Sequence, residues 1–180
     1  IKLSFYDFGA TPFFACQYDQ RFSYCLYVPA DYDETAAKAY DLAVIVHGTG
    51  RTATQYRDLF ADFAQRHDCI VLAPLFPVGI IEPGDLANYK RIQFHDIRYD
   101  HVLLAMVDEV IAKYRVNGCR FLLYGYSGGG QFCQRFFMLH PERLQAVSIG
   151  APGVVTLLHP DYDWWVGAVS YTHLTLPTKA

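Results

Sequence analysis

The run DLAVIVHG, residues 41–48, is short, continuously apolar, rich in β-branched residues, and stops at a glycine. A strand with one wet face alternates apolar and polar residues, whereas an unbroken apolar run suits a strand covered on both faces. CIVLAPLFP (69–77) and CRFLLYG (119–125) are further strand-like runs, and QAVSIGAPG (145–153) supplies another strand ending in Gly and Pro. Between these runs lie helical periods. Tyr56, Leu59, Phe60 and Phe63 recur at i, i+3, i+4 and i+7 in TATQYRDLFADFAQRHD, with Thr52 or Thr54 available as an N-cap. Leu103, Val107, Val110, Ile111 and Tyr114 mark a second helix, from Asp96 or Asp100 to about Arg115; Phe132, Phe136 and Leu139 mark a third, stopped by Pro141. Strands alternating with helices predict an α/β fold: parallel βαβ units in a mostly parallel sheet with helices on both faces. Ahead of them, RFSYCLYVP puts Phe22, Tyr24, Leu26 and Val28 on one side, the pattern of a strand near the sheet edge.

At 180 residues, 52% hydrophobic and 18% charged, the chain suits one domain with a full core. A net charge of −3 supplies no basic face for a phosphate backbone, which disfavours nucleic acid and leaves a small molecule as the expected partner. No run of about 18 apolar residues exists to span a membrane. Five scattered cysteines, Cys16, Cys25, Cys69, Cys119 and Cys133, fit buried free thiols in a reducing compartment, so a cytoplasmic location is expected. The first residues carry neither an initiator Met nor a signal pattern, so an export signal lost with an incomplete N-terminus stays open. No CxxC, HExxH or clustered metal-ligand spacing occurs, and no metal is assigned.

GYSGGGQF, residues 125–132, sets one serine among glycines directly after an apolar run. Three readings compete. A phosphate loop fails, because no Lys follows as GxxxxGK[ST] requires and GxGxxG does not match. A plain tight turn explains the glycines but not the serine. The third reading is GxSxG at a strand–turn–helix corner, which projects Ser127 above the carboxyl edge of the sheet as a nucleophile. The helix beginning at Gly128 would then aim an amide at the oxygen on which negative charge develops. HGTG (47–50) ends an earlier buried run, where a second such donor is needed, so the expected pair is the backbone N–H of Thr49 and of Gly128, with Gly50 a weaker substitute for Thr49.

VIVHGTGR, LAPLFP, LLYGYSGGG and VSIGAPG, in that order, resemble the α/β-hydrolase superfamily, and more narrowly bacterial serine esterases related to polyhydroxyalkanoate depolymerases and feruloyl esterases. The resemblance covers about Arg21 to Gly153. It implies an eight-stranded, mostly parallel sheet, Ser127 as nucleophile, the Thr49 and Gly128 amides as oxyanion hole, an ester substrate and no cofactor.

The hydrolase order is Ser, then Asp or Glu, then His. After Ser127 only His140, His159 and His173 remain. His140 ends the third helix, a full helix length from the serine, and His159 follows the strand at 145–150; both read as structural. His173 sits in VSYTHLTLPT, and residues 169–178 resemble an in-frame translation of a transposase-type sequencing adapter. The expectation is therefore residues 1–168 as the N-terminal part of a single α/β-hydrolase domain truncated at its C-terminus, followed by a non-native tail at 169–180. The triad acid and His would be missing, turnover low, and an exposed sheet edge would reduce solubility. The competing reading is a non-catalytic α/β-hydrolase-fold protein that binds a small molecule. His47 reads as orienting its loop, Tyr162, Trp164 and Trp165 as packing, and His95 and Asp96 as a solvated cap. VGIIEPGDLANYKRIQFHD (78–96) is long for a connection, and such loops often border a site. The pattern does not specify an oligomeric state.

Overall fold

A computed structural model describes residues 2–167; His173 and the stretch 169–178 lie outside them. In chain order the elements are β1 (Gly9–Ala10), β2 (Phe14–Ala15), β3 (Ser23–Val28), β4 (Asp41–Val46), α1 (Ala53–Leu59), α2 (Ala61–Arg66), β5 (Cys69–Leu75), β6 (Gln93–Phe94), β7 (Ile97–Arg98), α3 (Tyr99–Lys113), β8 (Phe121–Tyr126), α4 (Gly128–Leu139) and β9 (Leu144–Gly150). The main sheet runs β1-β3-β5-β4-β8-β9, with β2 also on β3. β5, β4, β8 and β9 are parallel, and β3 joins β5 antiparallel.

The period of two sorts side chains to the two faces. Leu42, Val44 and Val46 of β4, Ile70 and Leu72 of β5, and Phe121 and Leu123 of β8 join the larger core, which also holds Leu103, Val107 and Val110 of α3 and Phe132, Phe136 and Leu139 of α4. Ala43 and Ile45, Cys69 and Val71 face the other way, against Ala64 with Phe60 and Phe63. Both faces of β4 are buried, as the unbroken run predicts. Helices therefore cover both sides of a mostly parallel sheet.

Three expectations change. The sheet has seven strands among the described residues, against the eight that the resemblance implies for the whole fold, and two of the seven, the two-residue β1 and β2, share the outer side of β3 one after the other. β3 is not a one-faced strand: Cys25 is fully buried against Ala53 and Ala73, opposite Tyr24, Leu26 and Val28. The single first helix is two, broken at Phe60, where φ −99° and ψ 5° leave the helical region. Phe60 turns onto Tyr124 with ring centroids 5.0 Å apart, and the change of phase puts Leu59 in solvent at 77% exposure.

The thiols of Cys16, Cys25, Cys69 and Cys133 are free and buried, while Cys119 is exposed in the turn before β8. Among the described residues no helix is long and apolar enough to cross a membrane.

Candidate active site

β8 ends at Tyr126, α4 begins at Gly128, and the chain turns between them on Ser127 at φ 56° and ψ −118°. A residue with a Cβ rarely adopts that backbone, so the corner stores strain. Neighbouring bonds hold it. Ser127 N–H donates to Gly150 O at 2.9 Å, and Ser127 O accepts from Gln131 N–H at 3.0 Å. The flanking glycines are demanded by contact: a Cβ on Gly125 would lie 2.3 Å from Gly129 O, and one on Gly129 would lie 2.3 Å from Val46 O. GxSxG is thus the residue pattern that lets β4, β8 and α4 close to backbone contact at one point.

β4 and β8 pair in parallel with Val46 opposite Gly125, so HGTG leaves the sheet at the edge where Ser127 stands. A Cβ on Gly48 would sit 3.9 Å from Ser127 Cβ, and one on Gly128 would sit 3.0 Å from Thr49 Oγ1. Ser127, Thr49 and Gly128 are therefore brought together. Among the described residues neither the Thr49 nor the Gly128 N–H donates to a turn or loop carbonyl. Gly128 N–H, in the first turn of α4, has no partner within the helix either.

His47 is fully buried, with Nδ1 at 2.9 Å from Gly48 O and Nε2 accepting from Phe76 N–H at 3.0 Å. Burial pushes its ring down to about 4, so it is neutral and holds its loop, as its position in HGTG suggests. The long connection after β5 does reach the site. Its Tyr89 hydroxyl donates to His47 O at 3.0 Å, and a Cβ on Gly128 would lie 2.6 Å from that hydroxyl and 2.9 Å from Lys90 Cε.

The fold has solved counterparts. LpqC, a poly(3-hydroxybutyrate) depolymerase from Bordetella parapertussis, is 25% identical, with a TM-score of 0.69 over 81% of this chain and 51% of that one. Poly(aspartic acid) hydrolase-1 from Sphingomonas sp. KT-1 is 22% identical, with a TM-score of 0.74 over 89% of this chain and 62% of that one. Acetyl xylan esterase from Aspergillus awamori is 19% identical, with a TM-score of 0.58 over 73% and 48%. The chain has the α/β-hydrolase fold. It spans 51% and 62% of the length of the first two counterparts. No protein-family model and no curated protein sequence matches it.

Within this α/β-hydrolase fold His95, His140 and His159 are engaged elsewhere. His140 caps the far end of α4 and donates from Nε2 to Asp100 Oδ2 at 2.7 Å. His159 Nδ1 accepts from Asp161 N–H at 3.3 Å in an exposed turn, and His95 pairs with Glu82 beside the tip of the β6–β7 hairpin. Asp100, His101 and His140 bring three metal-capable atoms within 4.8 Å of one another. Arg98 already donates to both Asp100 oxygens, at 2.9 and 2.6 Å, so the cluster is built as an ion pair and fits a cation poorly.

Trp164 and Trp165 pack: Trp164 Nε1 donates to Arg91 O at 3.0 Å, and the Trp165 ring lies under the Arg91 and Arg135 guanidinium groups. Tyr126 is half-exposed and lies across Gly150. Motif reading misses Arg51, Tyr89, Lys90 and Tyr56, whose hydroxyl lies 3.4 Å from the place of a Gly48 Cβ. Arg51 sits directly after HGTG and is held by the carbonyls of Thr49, Phe76 and Leu86. Tyr89 and Lys90 lie in the long 78–96 connection, whose length is the one signal pointing to them.

Proposed function

We propose that the chain carries the nucleophile and oxyanion hole of a serine hydrolase that cleaves carboxylic esters. The observation that supports this most is Ser127 at φ 56°, clamped by glycines between a buried strand and a helix. Strain of this kind persists only where surrounding contacts over-determine it, and here it lifts a hydroxyl to the sheet edge. The Ser127 Oγ attacks the ester carbonyl, the carbonyl oxygen takes the charge and is met by the Thr49 and Gly128 amides, and a base takes the Ser127 proton. Collapse expels the alcohol, which receives that proton, and water then cleaves the acyl-serine. In this reading the base and its acid partner lie outside residues 2–167.

Fluorophosphonate labelling with peptide mapping tests the proposal. The 180-residue chain is expected to label slowly and turn over esters poorly, while a version continued along its natural gene should label on Ser127 and lose all label as Ser127→Ala. Labelling elsewhere, or none in the continued chain, would defeat the hydrolase reading. The pairing of His95, His140 and His159 away from Ser127, and the locking of His47 within its own loop, favour a second reading, a small-molecule binding protein that keeps the corner without its base.

A further inference from the structure

We propose that Lys90 makes the Ser127 site select esters that carry a second, free carboxylate close to the scissile bond. The proposal rests on the hydrolase reading for where the reacting carbonyl lies, but not for the binding of the anion.

The first observation is how firmly this lysine is placed. Its carbonyl accepts from Arg135 Nη1 at 2.5 Å, and the next carbonyl, of Arg91, accepts from Trp164 Nε1 at 3.0 Å. Asn88 just before it donates to Pro77 O at 3.0 Å and accepts from Arg51 Nη2 at 3.1 Å, while the Tyr89 hydroxyl is tied to His47 O. A lysine on a free loop extends into water. This one is half-buried, its Cε 2.9 Å from the place of a Gly128 Cβ, beside Thr49 Oγ1.

The second observation is charge. Salt bridges take up many of the basic groups in the described residues, yet none involves Arg51, Lys90, Arg91 or Arg135. Two of these cations, Arg51 and Arg91, crowd Lys90. Burial and the charges of Arg51 and Arg91 push the Lys90 ammonium below its ordinary value, with Asp85 opposing only in part. Burial and Arg91 likewise lower Arg135, to about 10, and its Nη2 has no hydrogen-bond partner. A concentration of positive charge that Asp85 offsets only in part, beside a candidate nucleophile, is stabilised by an anion brought in with the ligand.

The third observation narrows the anion. Bidentate capture of a phosphate calls for a free guanidinium fork, and the Arg51 fork is spent on Thr49 O, Phe76 O, Leu86 O and Asn88 Oδ1. Arg135 is fully buried and Arg91 lies against the Trp165 ring, so Lys90, placed beside Gly128, is the cation positioned to meet a ligand there, a point charge suited to one carboxylate. Its position over Gly128 places that carboxylate within a few bonds of the carbonyl that would sit at the Thr49 and Gly128 amides.

The test is calorimetric titration of the 180-residue chain with glutarate and with its uncharged dimethyl ester. Glutarate is expected to bind, to weaken about tenfold in Lys90→Met and recover in Lys90→Arg, and to keep its affinity in Ser127→Ala. Dimethyl glutarate should be indifferent to Lys90→Met. Absence of glutarate binding, or equal affinity in wild type and Lys90→Met, overturns the proposal. So does equal weakening of both ligands, which would make Lys90 a scaffold for the loop. Lys90-dependent glutarate binding in a protein whose Ser127 never labels would keep the carboxylate site and defeat the hydrolase reading; a labelled Ser127 without such binding would do the reverse.

Discussion

The two ends of α4 are built on opposite terms. At its start Ser127 holds an unfavourable backbone and, among the described residues, two amides have no backbone acceptor and Lys90 has no salt-bridge partner, Asp85 acting on it only from farther off. At its end, 12 residues on and about 18 Å away, each charge has a partner: Asp100, fully buried, accepts from Arg98 and His140, and the His140 ring lies tilted against Phe136 with centroids 5.0 Å apart. Both ends hold titratable and polar groups that a residue list would rank alike. The difference lies in satisfaction: the paired end fastens α3 to α4, whereas the unpaired end leaves bonding capacity for a ligand.

The contrast breaks most visibly if the serine corner is looser than its contacts imply. Gly129→Ala drives a Cβ to 2.3 Å from Val46 O, and backbone on both sides has nowhere to yield. A loss of about 3 kcal/mol or more is expected. Urea unfolding measures it, and a loss below about 1 kcal/mol would mean that the joint adapts.

At the other end, Asp100→Asn should cost about 2 kcal/mol at neutral pH. Burial pushes the Asp100 carboxyl up, but hydrogen bonds from His140 and Arg98 and the charges of Arg98 and His101 outweigh it and hold it at about 2, below the ordinary 3.8. A carboxyl depressed on folding stabilises above its unfolded value and loses that contribution as pH falls through its folded one. The gap between wild type and Asp100→Asn should therefore be full above about pH 4 and close toward pH 2. A gap that is flat with pH would show that the ion pair is not what holds this end.

Ser127→Gly sharpens the comparison in the opposite direction. Glycine tolerates φ 56°, so the variant should gain about 1 kcal/mol while the hydroxyl is lost. A destabilised variant would mean that the serine side chain supports the corner rather than being held up by it.

How far the sequence shows this depends on distance along the chain. β4, β5 and β8 are legible because each is a continuous apolar run, β9, interrupted by Gln145 and Ser148, is legible as a stretch ending in Gly and Pro, and the corner is legible because strand, GxSxG and helix are adjacent. The joining of Thr49 to Gly128 follows from two motifs sharing one edge of a parallel sheet. The break at Phe60 is not legible: Tyr56, Leu59, Phe60 and Phe63 keep perfect helical spacing, and the packing of Phe60 on Tyr124, far along the chain, overrides it. Lys90 is hidden for the same reason. Nothing local distinguishes it from any loop lysine; Arg135, Trp164 and Arg51 make it a wall of the site from three distant segments.

The smallest effect is the most discriminating. In His140→Gln the new amide can still donate to Asp100 Oδ2, and only the ring contact with Phe136 and the second approach to Glu142 at 3.6 Å are lost. The expected cost is a few tenths to about 1 kcal/mol. Fluorophosphonate labelling of Ser127 should keep its rate, because a group fastened to Asp100 at one end of a helix has no path to a proton at the other. A sharp fall in labelling with the fold intact would mean that His140 swings away from Asp100 to serve the serine, and the paired end would then be part of the chemistry rather than its anchor.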